Sequence, residues 1–318
     1  MKKSFFYNSN IMWVSILLFL ACSGVSTGIA QDKKSEKLII NADQQYQFAM
    51  DYFNQSQYFK AIAEFERFLY FFPDHQKVDD AKYHIATAYF QSGRFREAVE
   101  PFLEVAEKST DPNLINNAFF RLSETFFSLE DYQSAITVLD HLADASKNPV
   151  VTDEANYRAG WIFLELNEIQ SARQRFDMIS APNRDLFRMQ EMEEELSGEK
   201  LFPQKKPQLA GFLSILPGAG FAYCGRYQDA LVAFLLNTGL FWAAYESFDS
   251  GNEALGGIIA FAGAGFYAGN IYGAISSAHK YNRDSHQGFL EQLKTKTQVT
   301  LSVAPEKKGI ILGFRINF

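Results

Sequence analysis

An all-α chain, built chiefly as a solenoid of about four helix hairpins plus a cap, is what this sequence predicts. Behind the solenoid it predicts a helical membrane-embedded unit and a short C-terminal β-hairpin. Three observations lead there. A 37-residue period runs through the first two thirds. Charge almost vanishes between residues 208 and 279. Period-two alternation appears only at the C-terminal end.

The period is read in columns. Tyr58, Phe95, Tyr132 and Ile169 stand 37 residues apart. So do Ala61, Ala98, Ala135 and Ala172, and so do Phe65, Phe102, Leu139 and Phe176. Tyr46, Tyr83, Phe120 and Tyr157 form a further column, as do Tyr52, Tyr89, Phe126 and Phe163. Self-similarity at one fixed step means stacked supersecondary units, each burying its neighbour's apolar face. In the first copy Tyr46, Ala49 and Tyr52 follow helical spacing, and Gln55-Ser56-Gln57 turns the chain. Tyr58, Ala61, Ile62, Phe65, Phe68 and Leu69 mark the second helix, which Pro73 ends. The alanine column is small because two helices cross there and a larger side chain would force them apart. After Pro182, a charged helix from Arg184 to Leu196 reads as a polar cap on the stack.

The order small, aromatic, x, x, Ala, x, x, x, Phe resembles the tetratricopeptide repeat. Gly93-Arg94-Phe95-Arg96-Glu97-Ala98 with Phe102 carries it most clearly, and Ser56-Gln57-Tyr58 with Ala61, Phe65 and Pro73 nearly as well. Glu130 replaces the usual glycine in the third copy, and Asn167 with Ile169 make the fourth the weakest. The long step is similar to that of periplasmic repeat proteins of the outer-membrane-assembly and cell-division-coordinator type. The resemblance implies a scaffold that binds a protein partner in a groove lined by first helices. Carried over by position, the groove would hold Tyr46, Met50, Phe53 and Asn54, then Tyr83, Thr87, Phe90 and Gln91. It would continue with Phe120, Glu124, Phe127 and Ser128, and end with Tyr157, Trp161, Leu164 and Glu165. Trp161 is the strongest single contact this scheme offers.

Composition narrows the chemistry. Residues 31–200 hold 18 Lys/Arg against 30 Asp/Glu, and such an acidic region repels phosphate backbones, so no nucleic-acid partner is expected. Cys22 and Cys224 have no cysteine or histidine at ligand spacing, which gives no metal site and no disulfide framework. The five histidines stand apart from any nucleophile or phosphate loop. No enzyme, cofactor or small-molecule substrate is expected.

The start of the chain reads as a targeting segment over residues 1–30. Lys2 and Lys3 precede an apolar run from Ile11 to Ala21, and Gly28-Ile29-Ala30 offers a small-residue cleavage site. The rival reading is lipidation at Cys22, since Phe19-Leu20-Ala21-Cys22 resembles a bacterial lipoprotein signal. An uncleaved anchor is the third reading, and each of the three places the repeats, over residues 42–200, in the periplasm of a bacterial envelope.

Residues 201–207 read as a linker and 208–285 as a membrane-associated domain. Leu209–Cys224, Ala230–Tyr245 and Ala254–Ala274 are apolar runs, and three crossings are expected. Gly265, Gly269 and Gly273 put a flat stripe on the third run, suited to close helix packing in lipid. Pro217-Gly218-Ala219-Gly220, with Tyr223, Gly225, Arg226 and Tyr227, resembles a glycine-rich turn of small bacterial membrane proteins. From residue 297 to 318, Val299, Leu301 and Val303, then Ile310, Leu312, Phe314, Ile316 and Phe318, alternate as a hairpin.

Overall fold

Each repeat turns on one residue with left-handed backbone, and those residues keep the 37-residue step. They are Ser56, Gly93, Glu130 and Asn167, with φ of 58°, 76°, 61° and 61°. The amide one residue later reaches back five positions: Gln57 N donates to Tyr52 O, Arg94 N to Tyr89 O, Asp131 N to Phe126 O and Glu168 N to Phe163 O, at 2.8–2.9 Å. This Schellman-type closure satisfies carbonyls that the helix end would strand. Glycine takes the conformation freely, and the other three accept a cost of about 1 kcal/mol each for it.

The computed structural model describes residues 40–198 and 202–297, and every regular element among them is helical. Four hairpins follow in order. They are α1 (Ala42–Asn54) with α2 (Tyr58–Phe71), α3 (Val78–Gln91) with α4 (Phe95–Lys108), α5 (Pro112–Ser128) with α6 (Tyr132–Ala145), and α7 (Pro149–Glu165) with α8 (Ile169–Asp177). Starts are set by side-chain caps: the Oδ1 atoms of Asn41, Asp111 and Asn148 accept from the backbone two residues on. Pro112 and Pro149 occupy the first helical positions, where a missing N–H is harmless.

The expected alanine column is fully buried in all four copies. Phe65, Phe102, Leu139 and Phe176 are buried with it. A second small column faces it from the first helices: Ala49, Ala86, Ser123 and Gly160. A Cβ on Gly160 would stand 2.3 Å from the Phe176 ring, so the fourth hairpin has no room for one. A 3-10 turn (Ala181–Asn183) and α9 (Met189–Leu196) close the stack. The Asp153 carboxylate holds that turn, accepting from Ser180 N at 3.0 Å and Asn183 Nδ2 at 2.6 Å.

The apolar third departs from expectation. The first apolar run is broken into α10 (Pro207–Leu213) and α11 (Ala219–Tyr223), too short to cross a bilayer. Asn270 explains the break. Its Nδ2 donates to Ser214 O at 2.9 Å and its Oδ1 accepts from Gly218 N at 3.1 Å. A bend inside an apolar layer survives only where its backbone is satisfied by neighbours. Gly218 sits at φ +86° with Ala230 O where a Cβ would go. The chain therefore folds back, and three crossings are not what the structure holds. Among the described residues, two helices are long and apolar enough to cross: α12 (Tyr227–Asp249) and α13 (Glu253–Thr297).

The glycine stripe makes one close approach of the three expected. A Cβ on Gly273 would stand 2.8 Å from Cζ of Phe221, whereas Gly265 and Gly269 face open space. α12 and α13 meet instead at Gly263, against Leu240 and Phe241, and at Gly256, under the Phe248 ring. α13 runs unbroken through residue 285, for 45 residues in all, about 67 Å. The leader with Cys22, and the hairpin beyond Thr297, lie outside the described residues.

Candidate functional site

The face carried by the first helices changes character along the stack. At the start it is open. Tyr46, Met50 and Phe53 of α1 and Tyr83 and Phe90 of α3 are each partly exposed, and Asn54 and Gln91 are exposed at the rim. Thr87 is buried, its hydroxyl donating to Tyr83 O at 2.8 Å. An aromatic wall gathers around His84, which stacks on Phe65 at 5.6 Å and meets Phe53 edge-on at 5.1 Å. Burial holds its imidazole below the usual value, with Asp80 opposing. The Tyr46 phenol is pushed up to about 12, first by burial and then by Asp80, and the Lys77 ammonium lies 4.7 Å above its ring.

In the third copy the face is closed by charge. Arg158 of α7 reaches Glu124 of α5 at 2.5 Å and Glu154 at 2.7 Å, while Arg121 pairs with Glu124 at 2.7 Å. The Arg158 guanidinium lies over Phe120, 4.5 Å from the ring centroid, and Phe120 is buried beneath it. Phe127 packs edge-on against Tyr132 at 5.3 Å, and Ser128 is exposed. Burial pushes Glu154 up to about 7, and Arg158 pulls against that shift.

In the fourth copy the face is filled by the chain itself. Tyr157, Trp161 and Leu164 are buried, Trp161 to 3% exposure, in one cluster with Phe289, Leu290 and Leu293 of α13 and Met189, Met192 and Leu196 of α9. His286 Nε2 lies 2.8 Å from Leu164 O, and Lys294 pairs with Glu165 at 3.0 Å. Trp161, expected to present itself to a partner, grips this helix instead. The sequence reading missed these residues of α13. Their signal was present: Phe289, Leu290, Leu293 and Thr297 recur at helical spacing within a polar stretch.

Among the described residues no group of histidines, cysteines and carboxylates is arranged to hold a metal ion. The described face offers aromatic contact area, hydrogen-bonding rims and a buried ion network. Those are the means of holding a peptide segment.

No curated protein matches the chain. Similar solved structures include a tetratricopeptide repeat protein from Parabacteroides merdae, 15% identical, with 79% of this chain and 98% of that chain covered and a TM-score of 0.40. Another is a TPR repeats protein from Bacteroides fragilis, 13% identical, covering 81% of this chain and 99% of that one, with a TM-score of 0.34. The narrower likeness to periplasmic assembly and division proteins is not carried by these matches. The tetratricopeptide repeat-like domain model matches residues 3–183. That is more than half of the sequence, and the protein belongs to the tetratricopeptide repeat-like family.

Proposed function

We propose that the protein is a non-catalytic scaffold of the bacterial cell envelope, seated in a membrane by α12 and α13, that receives a partner protein's segment on the open face of α1 and α3. One observation carries the reading: the fourth repeat already holds a helix on this face, and that helix belongs to the chain. The face can therefore grip a helix, and its first half remains free to grip another. Met50, Phe53, Tyr83 and Phe90 are the contacts, with Asn54 and Gln91 at the rim.

Membrane seating is supported by what α12 and α13 leave uncovered. Phe261 is 85% exposed, and Leu231, Val232, Leu235, Trp242, Ile258 and Tyr272 are also exposed. Only 11% and 17% of the most apolar window of each helix is covered by protein. A core helix of a soluble protein would be mostly covered, and side chains of this kind in water lose about 25 cal/mol for each Å² of apolar surface.

The test is photo-crosslinking in the native host. A photoreactive phenylalanine at Met50 or Phe53 should capture one discrete protein. The same residue at Phe59, exposed on α2, should not. Equal capture from all three positions would reject the face. Extraction of the full chain by alkaline carbonate, without detergent, would reject the seating.

A further inference from the structure

We propose that the cavity between the fourth repeat and the apolar unit seats the anionic headgroup of a phospholipid, an inference that rests on the membrane seating above. The cavity has a volume of about 1320 Å³. Arg173 of α8 contributes one wall, Lys205 and Lys206 a second, and Ile275, His279 and Asn282 of α13 a third. Among the described residues, three cations line it and no carboxylate does.

The two lysines do not stand on a free linker. Asn282 pins the Lys205 backbone from both sides: Lys205 N donates to its Oδ1 at 2.6 Å, and its Nδ2 donates to Lys205 O at 2.8 Å. Lys206 N donates to the Tyr223 hydroxyl at 3.1 Å. The Lys205 ammonium lies over the rings of Tyr223 and Tyr281, at 4.7 Å and 5.4 Å. The Arg173 guanidinium gives one N–H to Leu196 O and keeps others for a ligand. Among the described residues, none of these three cations has an ion-pair partner.

Position favours a lipid over a free anion. α10 begins at Pro207, directly after the lysine pair, and α13 passes the cavity at Ile275, His279 and Asn282, just beyond the apolar run that ends at Ala274. Arg226, Lys280 and Arg283 lie at this same end, whereas the far ends of α12 and α13 carry Glu246, Asp249 and Glu253. Basic pockets where helices leave the bilayer are where phosphate headgroups dock.

The full chain, in vesicles of phosphatidylcholine and phosphatidylglycerol, is exchanged into a mild non-ionic detergent, and retained lipid is quantified by mass spectrometry. Phosphatidylglycerol should be retained in preference. Each lysine beside a charged headgroup is worth about five-fold, so Lys205→Gln with Lys206→Gln should cut that preference on the order of 25-fold. Lys108→Gln with Lys147→Gln, remote from the cavity, should leave it unchanged. Arg173→Gln should lower it about five-fold and serves if the double variant does not insert. Equal retention of both lipids, or a preference surviving both sets of variants, overturns the proposal. So does full competition by soluble glycerol phosphate, which would mark a free-anion site. In each of those cases the chain stays in the membrane, whereas release by alkaline carbonate overturns the seating itself.

Discussion

An alanine at position 160 sets helix propensity against packing. On propensity alone, Gly160→Ala inside α7 should stabilise the helix by about 1 kcal/mol. The added Cβ, however, would stand 2.3, 2.7 and 2.8 Å from three ring carbons of Phe176. Carbon atoms rest about 3.5–4.0 Å apart, so the ring or one helix must retreat by more than about 1 Å. Phe176 has little room, being buried and held against Tyr157 at 6.0 Å. Overpacking of this kind costs about 1–3 kcal/mol. The net expectation is a loss of about 1 kcal/mol, concentrated in the fourth hairpin. Urea unfolding of the full chain in detergent, followed by circular dichroism and by hydrogen exchange in α7 and α8, measures it. Phe176→Leu makes the missing space, so in that background the penalty of Gly160→Ala should vanish. A Gly160→Ala protein more stable than wild type, with Phe176 intact, would refute the packing of α7 on α8 through this glycine.

Arg158→Met leaves Glu124 to Arg121 alone and Glu154 to take up a proton, and should cost about 1–3 kcal/mol near neutral pH, read from urea midpoints. Two titrations pull the solenoid in opposite directions. Glu154 has its folded value raised to about 7, so its native form favours the proton, and stability is lost as pH rises through that value. His84 has its folded value lowered, so its native form is neutral, and stability is lost as pH falls below the usual imidazole range. Moving from about pH 7.5 to about pH 5.5 should therefore loosen α1–α4 and firm α7 in hydrogen exchange corrected for intrinsic rates. His84→Gln should abolish the loosening, and uniform change along the stack would contradict it. With Cys22 and Cys224 replaced by serine, Asp111→Cys and Ser250→Cys should react with an impermeant maleimide from opposite sides of a sealed membrane. Labelling of both from one side would rule out two crossings.

The repeats were legible because their signal is local and written four times. The alanine column and its aromatic neighbour identify a helix crossing wherever they occur. The turn residue was less legible, because Ser56, Gly93, Glu130 and Asn167 share a conformation and not a side-chain type. What stayed hidden depends on contacts far apart in sequence. The fold-back of the first apolar run is fixed by Asn270, more than 50 residues away. Met50 and Trp161 occupy the same repeat position, yet one borders the open face and the other is buried. The arrival of α13, with His286 beside Leu164, and of α9 separates them. No column in the repeats encodes that, because the covering helix lies outside them.

The continuity of α13 bears on which side of a membrane the solenoid occupies. Its apolar half holds the fold-back through Asn270, and its polar half is clamped by Leu290, Leu293 and Lys294 on the last repeat. The solenoid is thus fixed to the end where α10 begins and where Lys205, Lys206, Arg226, Lys280 and Arg283 gather. With three crossings the solenoid and Arg226 would have opposed each other across the bilayer. With the first run folded back they share a side. In an inner membrane the positive-inside tendency draws that side to the cytoplasm. A cleavable leader draws the repeats outward. The two tendencies oppose each other only if the leader exports the chain. The side on which Asp111→Cys reacts decides between these arrangements, and it does so whichever partner the open face of α1 and α3 receives.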